Sequence, residues 1–416
     1  MKAQVFRDQK PASPVARVPF PTRTQAERVE VAPELLLRAV AQAIAQTGEL
    51  AMQADCIGLS VMAPAWLAMD ASGAAITPII THQDRRSASI AKELEARVGK
   101  KRHLALAGNR PFPGSISSTT CAWFLQHEPE LMKPVDLVGH LNTFLVRKLT
   151  GARVIDPSNA SFTGLYLTCS QSGWSNDLCE AVGVKRQWLP DIVDSDGIAG
   201  HVTPEAAAEF GLKAGTPVLA GMVDTGAAIL LTGANDGQLF HMCGSTDVLA
   251  ACVAKPRTHE RLLTRALGVG KKSLSVATIA AAGSSLEWVR REFFRDLSED
   301  DFYKLTGSVR SEGVGFQPYL AGERMAMEQP RAAFSGLKLA TTRENMLAAV
   351  VGALSAASAA RLELLAEVQP IFLPLVYVSG GGRDLARIMH QDWAGRWEFK
   401  AMEEANLAGL ATLVPR

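Results

Sequence analysis

Apolar residues recur at helical spacing over 32–47, where Leu35, Leu36, Ala39, Val40, Ala43 and Ile44 fall on one face. The run Cys56-Ile57-Gly58-Leu59-Ser60-Val61-Met62 is short, apolar and followed by small residues, which predicts a buried strand. The stretch 66–73 reads as a strand entering a hairpin turn. Helical patterns follow over 87–98, 118–127 and 136–150. The stretch 216–224 predicts a strand that leads straight into a helix. Glycines at 233 and 237 bracket a turn and suggest a domain boundary. Beyond it the pattern predicts a strand over 238–243, helices over 284–294 and 343–366, a strand over 375–378 and a helix over 385–393. Strands and helices intermix in both halves, so α/β or α+β layers are expected in each.

At ~150 residues per domain, 416 residues allow two or three domains. Apolar residues make up 47% and charged residues 20%, enough to bury large cores and too apolar for a disordered chain. Lys and Arg total 43 against 42 Asp and Glu, a formal charge of +1, which argues against a nucleic-acid binder. The basic run Lys100-Lys101-Arg102-His103 reads as a solvated helix end. The apolar stretch 346–360 is shorter than the ~18 residues of a membrane span and predicts a buried helix. The six cysteines form no CxxC pair and read as reduced thiols. The start has no signal-peptide pattern, and cytoplasmic residence is the expectation.

Three loops could carry chemistry. Asp224 ends an apolar strand where the chain turns into a helix; it reads as a general base or as a helix N-cap. Gly244-Ser245-Thr246 follows a strand and could aim backbone N–H groups at a phosphate, or could be a plain hairpin turn. Gly380-Gly381-Gly382, followed by Arg383, admits close approach of a ligand to backbone; a flexible turn is the other reading. Neither loop is a Walker A motif or a GxGxxG fingerprint.

In their order these loops resemble the FGGY carbohydrate kinases, the sugar kinases that include xylulokinase, gluconokinase and glycerol kinase. The resemblance runs over nearly the whole chain. Pro78-Ile79-Ile80-Thr81-His82-Gln83-Asp84-Arg85-Arg86 is similar to the family's Trp-Gln/Asn-Asp-x-Arg segment, with His82 in place of Trp. Asp156-Pro157-Ser158-Asn159-Ala160-Ser161 is similar to its "TDYSDAS" stretch, and Phe316-Gln317-Pro318-Tyr319-Leu320-Ala321-Gly322-Glu323-Arg324 is close to its "PYLAGER". One signature has Thr120 where Lys is usual, and a second has Gly352 where an acidic residue is usual.

The resemblance implies two actin-like (ribonuclease H-like) α/β domains around a cleft, over 1–237 for sugar and 238–416 for ATP. It implies ATP-dependent phosphorylation of a sugar, sugar acid or polyol, with Mg²⁺. A catalytically impaired sugar- or nucleotide-binding regulator on the same fold is the alternative. Asp224 would be the catalytic base, Met62 and Asp84 would line the substrate site, Gly244, Ser245 and Thr246 would hold phosphate, and Gly380, Gly381, Gly382 and Arg383 the nucleotide. Xylulokinases carry Gln-Met-His where this chain has Met62-Ala63-Pro64, so a sugar-reading His is absent and xylulose is disfavoured. The partner is a small molecule, with neither nucleic acid nor membrane, and a homodimer is left open. Members open with a strand and an Asp-x-Gly-Thr-type loop, whereas Met1-Lys2-Ala3-Gln4-Val5-Phe6 resembles the strand after it. The expectation is that this first phosphate loop is missing through a misplaced start, and that the 416 residues alone have little or no kinase activity.

Overall fold

One six-stranded sheet organises the second half of the chain in the computed structural model, which describes residues 1–414. Its order is Leu263–Ala266, Ser273–Ile279, Asp247–Val253, Leu239–Cys243, Leu375–Ser379 and Glu398–Ala401. The first four strands alternate in direction, and the last two run parallel to Leu239–Cys243. Every residue of Asp247–Val253 and Ser273–Ile279 is buried.

One face of this sheet is covered by the helix Arg343–Val368, started by a capping box between Thr342 and Asn345. The helix buries Leu347, Val350, Leu354, Leu362 and Leu365 with Leu239, Leu249 and Ala277 of the sheet. It outruns the apolar stretch 346–360 at both ends and is long and apolar enough by composition to cross a membrane. Its buried face is the core of this domain.

The first half carries an antiparallel five-stranded sheet in the order Leu137–His140, Ala65–Met69, Ile79–Thr81, Arg28–Val31 and Arg23–Gln25. A separate parallel pair, Ser60–Val61 beside Met222–Val223, leads to the site described below. The helices Pro33–Ala45, Ala88–Val98 and Ser117–His127 lie where the apolar spacing predicts them.

Three expectations change. The stretch 136–150 is a strand, Leu137–His140, before the helix Leu141–Thr150, because its first residues pair with Ala65–Met69. The strand expected over 216–224 breaks into Pro217–Leu219 and Met222–Val223 at Gly221, where φ is +77° and a Cβ would lie 2.5 Å from the Leu59 carbonyl. The basic run opens the helix Lys100–Ala107 instead of ending one, with Lys100 paired to Glu260 and Arg102 to Asp177 while His103 is buried.

The two halves meet where the helix Asp224–Leu230 packs on the helix Ala405–Ala411. A Cβ at Gly409 would lie 1.7 Å from the Ala227 carbonyl, so the helices approach at backbone distance there.

Candidate active site

Val61 stands opposite Val223 in the parallel pair, so Met62 and Asp224 follow side by side at the carboxyl ends of neighbouring strands. Carboxyl ends of parallel strands are where α/β folds place ligands. Asp224 is the first residue of its helix and does not act as its cap: Val223 holds that position and makes no side-chain cap bond. The Asp224 Oδ1 atom accepts only from its neighbour Thr225, from the amide at 2.7 Å and the hydroxyl at 3.3 Å. Burial pushes the carboxyl above its usual range, opposed by the Thr225 hydrogen bonds and the Arg324 charge.

A buried polar network fixes the strand before Asp224. The Val223 amide donates to Ser158 Oγ at 2.9 Å, and Ser158 in turn donates to Asp156. Asp156 also accepts from Asn142 Nδ2 at 2.6 Å, Asn159 Nδ2 at 2.7 Å and the Asn159 amide at 3.0 Å. Burial still outweighs these donors and raises the Asp156 carboxyl to about 6. An acid raised from 3.8 contributes stability that is fully present below 3.8 and is lost as pH rises through about 6. Asp156→Asn removes this titration. Denaturant unfolding at pH 4 and pH 7 is therefore expected to show the parent losing on the order of 3 kcal/mol relative to the variant. Parallel pH profiles would refute that origin.

Facing Asp224 from the second half is Arg324, in a loop fixed at both sides. Ser115 Oγ donates to the Arg324 carbonyl at 2.9 Å, and Glu323 pairs with Arg361 of the long helix at 2.7 Å. Burial and then the Arg85 charge lower the Arg324 guanidinium to about 10, against the pull of Asp224. Arg85 donates to the carbonyls of His82 at 2.7 Å and Asp84 at 3.1 Å. Arg265 donates to the carbonyls of Ser161 at 3.0 Å and Ser115 at 3.1 Å, and burial followed by the Arg324 charge lowers it to about 9. Burial, Arg324 and Arg85 hold His82 neutral, far below its ordinary range. The site is thus one partly free carboxylate acted on by Arg324, which in turn lies within charge range of Arg85 and Arg265.

The loops 244–246 and 380–382 converge on Cys243. The Ser245 carbonyl accepts from the Ala282 and Ser284 amides at 2.9 and 3.2 Å, and the Gly244 carbonyl from Gly283 at 2.9 Å, which docks the loop on the helix Gly283–Phe293. Among the described residues the Ser245 and Thr246 amides donate to no protein group. The Gly382 amide donates to the Cys243 carbonyl at 2.9 Å. Gly381 borders open space.

Two of the other expected residues are engaged by ion pairs. Asp84 is buried, and its carboxylate is taken by Arg86 at 2.7–3.1 Å and by the Val29 amide at 2.8 Å. It therefore shapes the segment that presents Arg85 and offers no free oxygen of its own. Met62 is half-buried and packs on the core around Val61 and Leu67. Arg383 is at the surface, paired with Glu403 at 3.0 Å. Arg324, Arg265, His82 and Asp156 were not singled out as site residues, although all but Arg265 lie in stretches that carried the resemblance. A surface depression of about 690 Å³ lined by Asp136, Arg153, Arg186, Gln187, Leu189 and Asp191 shares no residue with this site.

A family model, the N-terminal domain of the FGGY family of carbohydrate kinases, matches residues 1–231. A xylulose kinase of Bacillus subtilis is 26% identical over 272 residues, 63% of this chain and 54% of that protein. A gluconokinase of the same organism is 26% identical over 302 residues, 68% of this chain and 58% of that protein. The chain thus spans about half the length of the curated relatives it matches. The solved xylulose kinase from Rhodospirillum rubrum superposes with a TM-score of 0.81 at 24% identity, covering 96% of this chain and 85% of that one. Plasmodium falciparum glycerol kinase with ADP gives 0.85 at 18% identity, covering 99% and 86%. These likenesses establish the two-domain, actin-like sugar-kinase fold. With a family model covering more than half of its residues, the chain belongs to the FGGY family of carbohydrate kinases.

Proposed function

We propose that this chain transfers the γ-phosphoryl group of ATP to a hydroxyl of a sugar acid, sugar or polyol, using a sugar lobe over 1–237 and a nucleotide lobe over 238–416. The observation that carries the reading is Asp224: a carboxylate at the end of a parallel strand pair, released from capping, with Arg324 of the second half acting on it. Its Oδ2 atom has no partner among the described residues and can take the acceptor hydroxyl's proton as that oxygen attacks phosphorus. The bond from γ-phosphorus to the bridging oxygen breaks, and ADP leaves. The free Ser245 and Thr246 amides hold phosphate oxygens, and Gly380 to Gly382 let the nucleotide approach backbone.

The divalent ion that such kinases use fits this donor set. Asp84 is spent on Arg86, Asp156 on the asparagines and Glu323 on Arg361, which leaves Asp224 as the carboxylate with an open oxygen. Mg²⁺ bound chiefly to phosphates and water needs no more than that, and it supplies neutralisation of phosphate charge.

Arg85, Arg265 and Arg324 favour an anionic acceptor, and Met62-Ala63-Pro64 brings no polar side chain to read a neutral one. A screen of ADP release with pentuloses, hexuloses, sugar acids and polyols is expected to give its highest kcat/KM with a sugar acid. Arg85→Met should lower that value about 10-fold or more through KM, in line with loss of a charge-assisted contact. Equal preference for a neutral polyol would overturn the acceptor class. Sugar-independent ATP hydrolysis would overturn the kinase reading.

A further inference from the structure

His241 and Cys243 are two residues apart on one strand and so project from the same face. Asp247 lies directly opposite Cys243 in the antiparallel register, which puts its side chain on that face as well. One imidazole, one thiol and one carboxylate thus meet at the root of the hairpin loop 244–246. Their donor atoms all lie within 4.8 Å of one another, and all three residues are buried. His241 Nε2 and Asp247 Oδ1 are 2.5 Å apart. The other carboxylate oxygen, Oδ2, is buried with no hydrogen-bond partner, in a side chain that is 0% exposed. A buried carboxylate with an idle oxygen calls for a cation. On the far side of the imidazole, His241 Nδ1 lies 2.8 Å from His390 Nε2, and His390 stacks on Phe399 with 3.8 Å between ring centroids.

We propose that His241 Nε2, Cys243 Sγ and Asp247 hold one Zn²⁺ ion at the base of the loop 244–246. The site is separate from the Mg²⁺ of phosphoryl transfer, because a thiolate selects a softer ion and Mg²⁺ takes oxygen ligands. Charge closes within the site: the carboxylate and the thiolate cancel the two charges of the ion, so a buried neutral unit results. Binding releases the Cys243 thiol proton. The imidazole keeps its proton on Nδ1, donated to His390 Nε2, which is the outer partner that fixes a zinc-bound histidine. The short contact between His241 and Asp247 is then replaced by coordination, at Zn–N about 2.0–2.1 Å and Zn–S about 2.3 Å.

The test uses the full 416-residue chain, stripped with a chelator and titrated with Co²⁺ and with Zn²⁺. Co²⁺ is expected to give a sulfur-to-metal charge-transfer band that saturates at one equivalent. Zn²⁺ at about 100 times its dissociation constant is expected to raise the Tm by about 5–10 °C. Cys243→Ser should abolish the band. Cys252→Ser should leave it, because Cys252 points to the other face and donates to the Ala234 carbonyl. His390→Gln should keep the band with affinity about 10–100-fold weaker. No charge-transfer band in the folded parent, or one that survives Cys243→Ser, overturns the proposal. Each readout is independent of turnover, so failure of the kinase reading leaves the result interpretable.

Discussion

Asp224→Asn is expected to lower sugar-dependent ADP release by about 10²–10⁴-fold relative to the parent's own rate, while acceptor affinity stays within about tenfold. The substitution keeps the shape of the side chain and its acceptor to Thr225, so the loss isolates the proton-accepting oxygen. The parent should also show an acid limb in kcat above the usual carboxylate range. Burial raises the carboxyl in spite of Arg324, and the base works only when ionised. Raising pH through that limb therefore increases the rate, and Asp224→Asn should flatten it. Measuring ADP release by single turnover and acceptor binding by calorimetry checks both halves. A variant that keeps the parent's rate, or loses rate only through acceptor affinity, would remove Asp224 from the chemistry.

Gly380→Ala is expected to have the largest effect on folding, and its neighbour Gly381→Ala almost none. Gly380 has φ +103°, and a Cβ there would lie 2.1 Å from the Cys243 carbonyl. That oxygen ends the strand Leu239–Cys243 and accepts the Gly382 amide, so it cannot retreat without breaking the junction of the two loops. Left-handed strain of about 1–2 kcal/mol and overpacking of about 1–3 kcal/mol both apply. Together they imply a Tm lower by about 5–15 °C. At Gly381 a Cβ meets nothing within 4 Å and φ is not left-handed, so thermal unfolding should be unchanged within about 1–2 °C. ATP binding should fall with both variants, with Gly380→Ala through the fold of the loop and with Gly381→Ala through a Cβ placed where the nucleotide approaches backbone. Equal stability of the two variants would mean that this loop yields more easily than its backbone contacts imply.

Helices with an uninterrupted apolar stripe were legible from spacing alone. Pro33–Ala45 and Gly283–Phe293 begin and end within a residue or two of their pattern, since one face of each must be buried whatever it packs against. Strands were harder. Asp247–Val253 and Ser273–Ile279 went unread, because they are buried on both faces and lack the alternation that marks a half-buried strand. Leu137–His140 was absorbed into the following helix, because nothing local distinguishes it. Its state is decided by pairing with Ala65–Met69 from another part of the chain.

The chemistry divides in the same way. The sequence by itself singled out Asp224, the loop 244–246 and the glycines 380–382 as candidates, because each stands at the end of an apolar strand and turn chemistry is local. Only the tertiary structure decided what acts on them. It released Asp224 from capping, committed the Asp84 carboxylate to Arg86, and brought Arg85, Arg265 and Arg324 together from three distant segments. It also drew His241, Cys243 and Asp247 onto one face through a register that no spacing states. Charge, burial and coordination act through space over a few ångströms, and chain order carries no record of which distant residues will come that close.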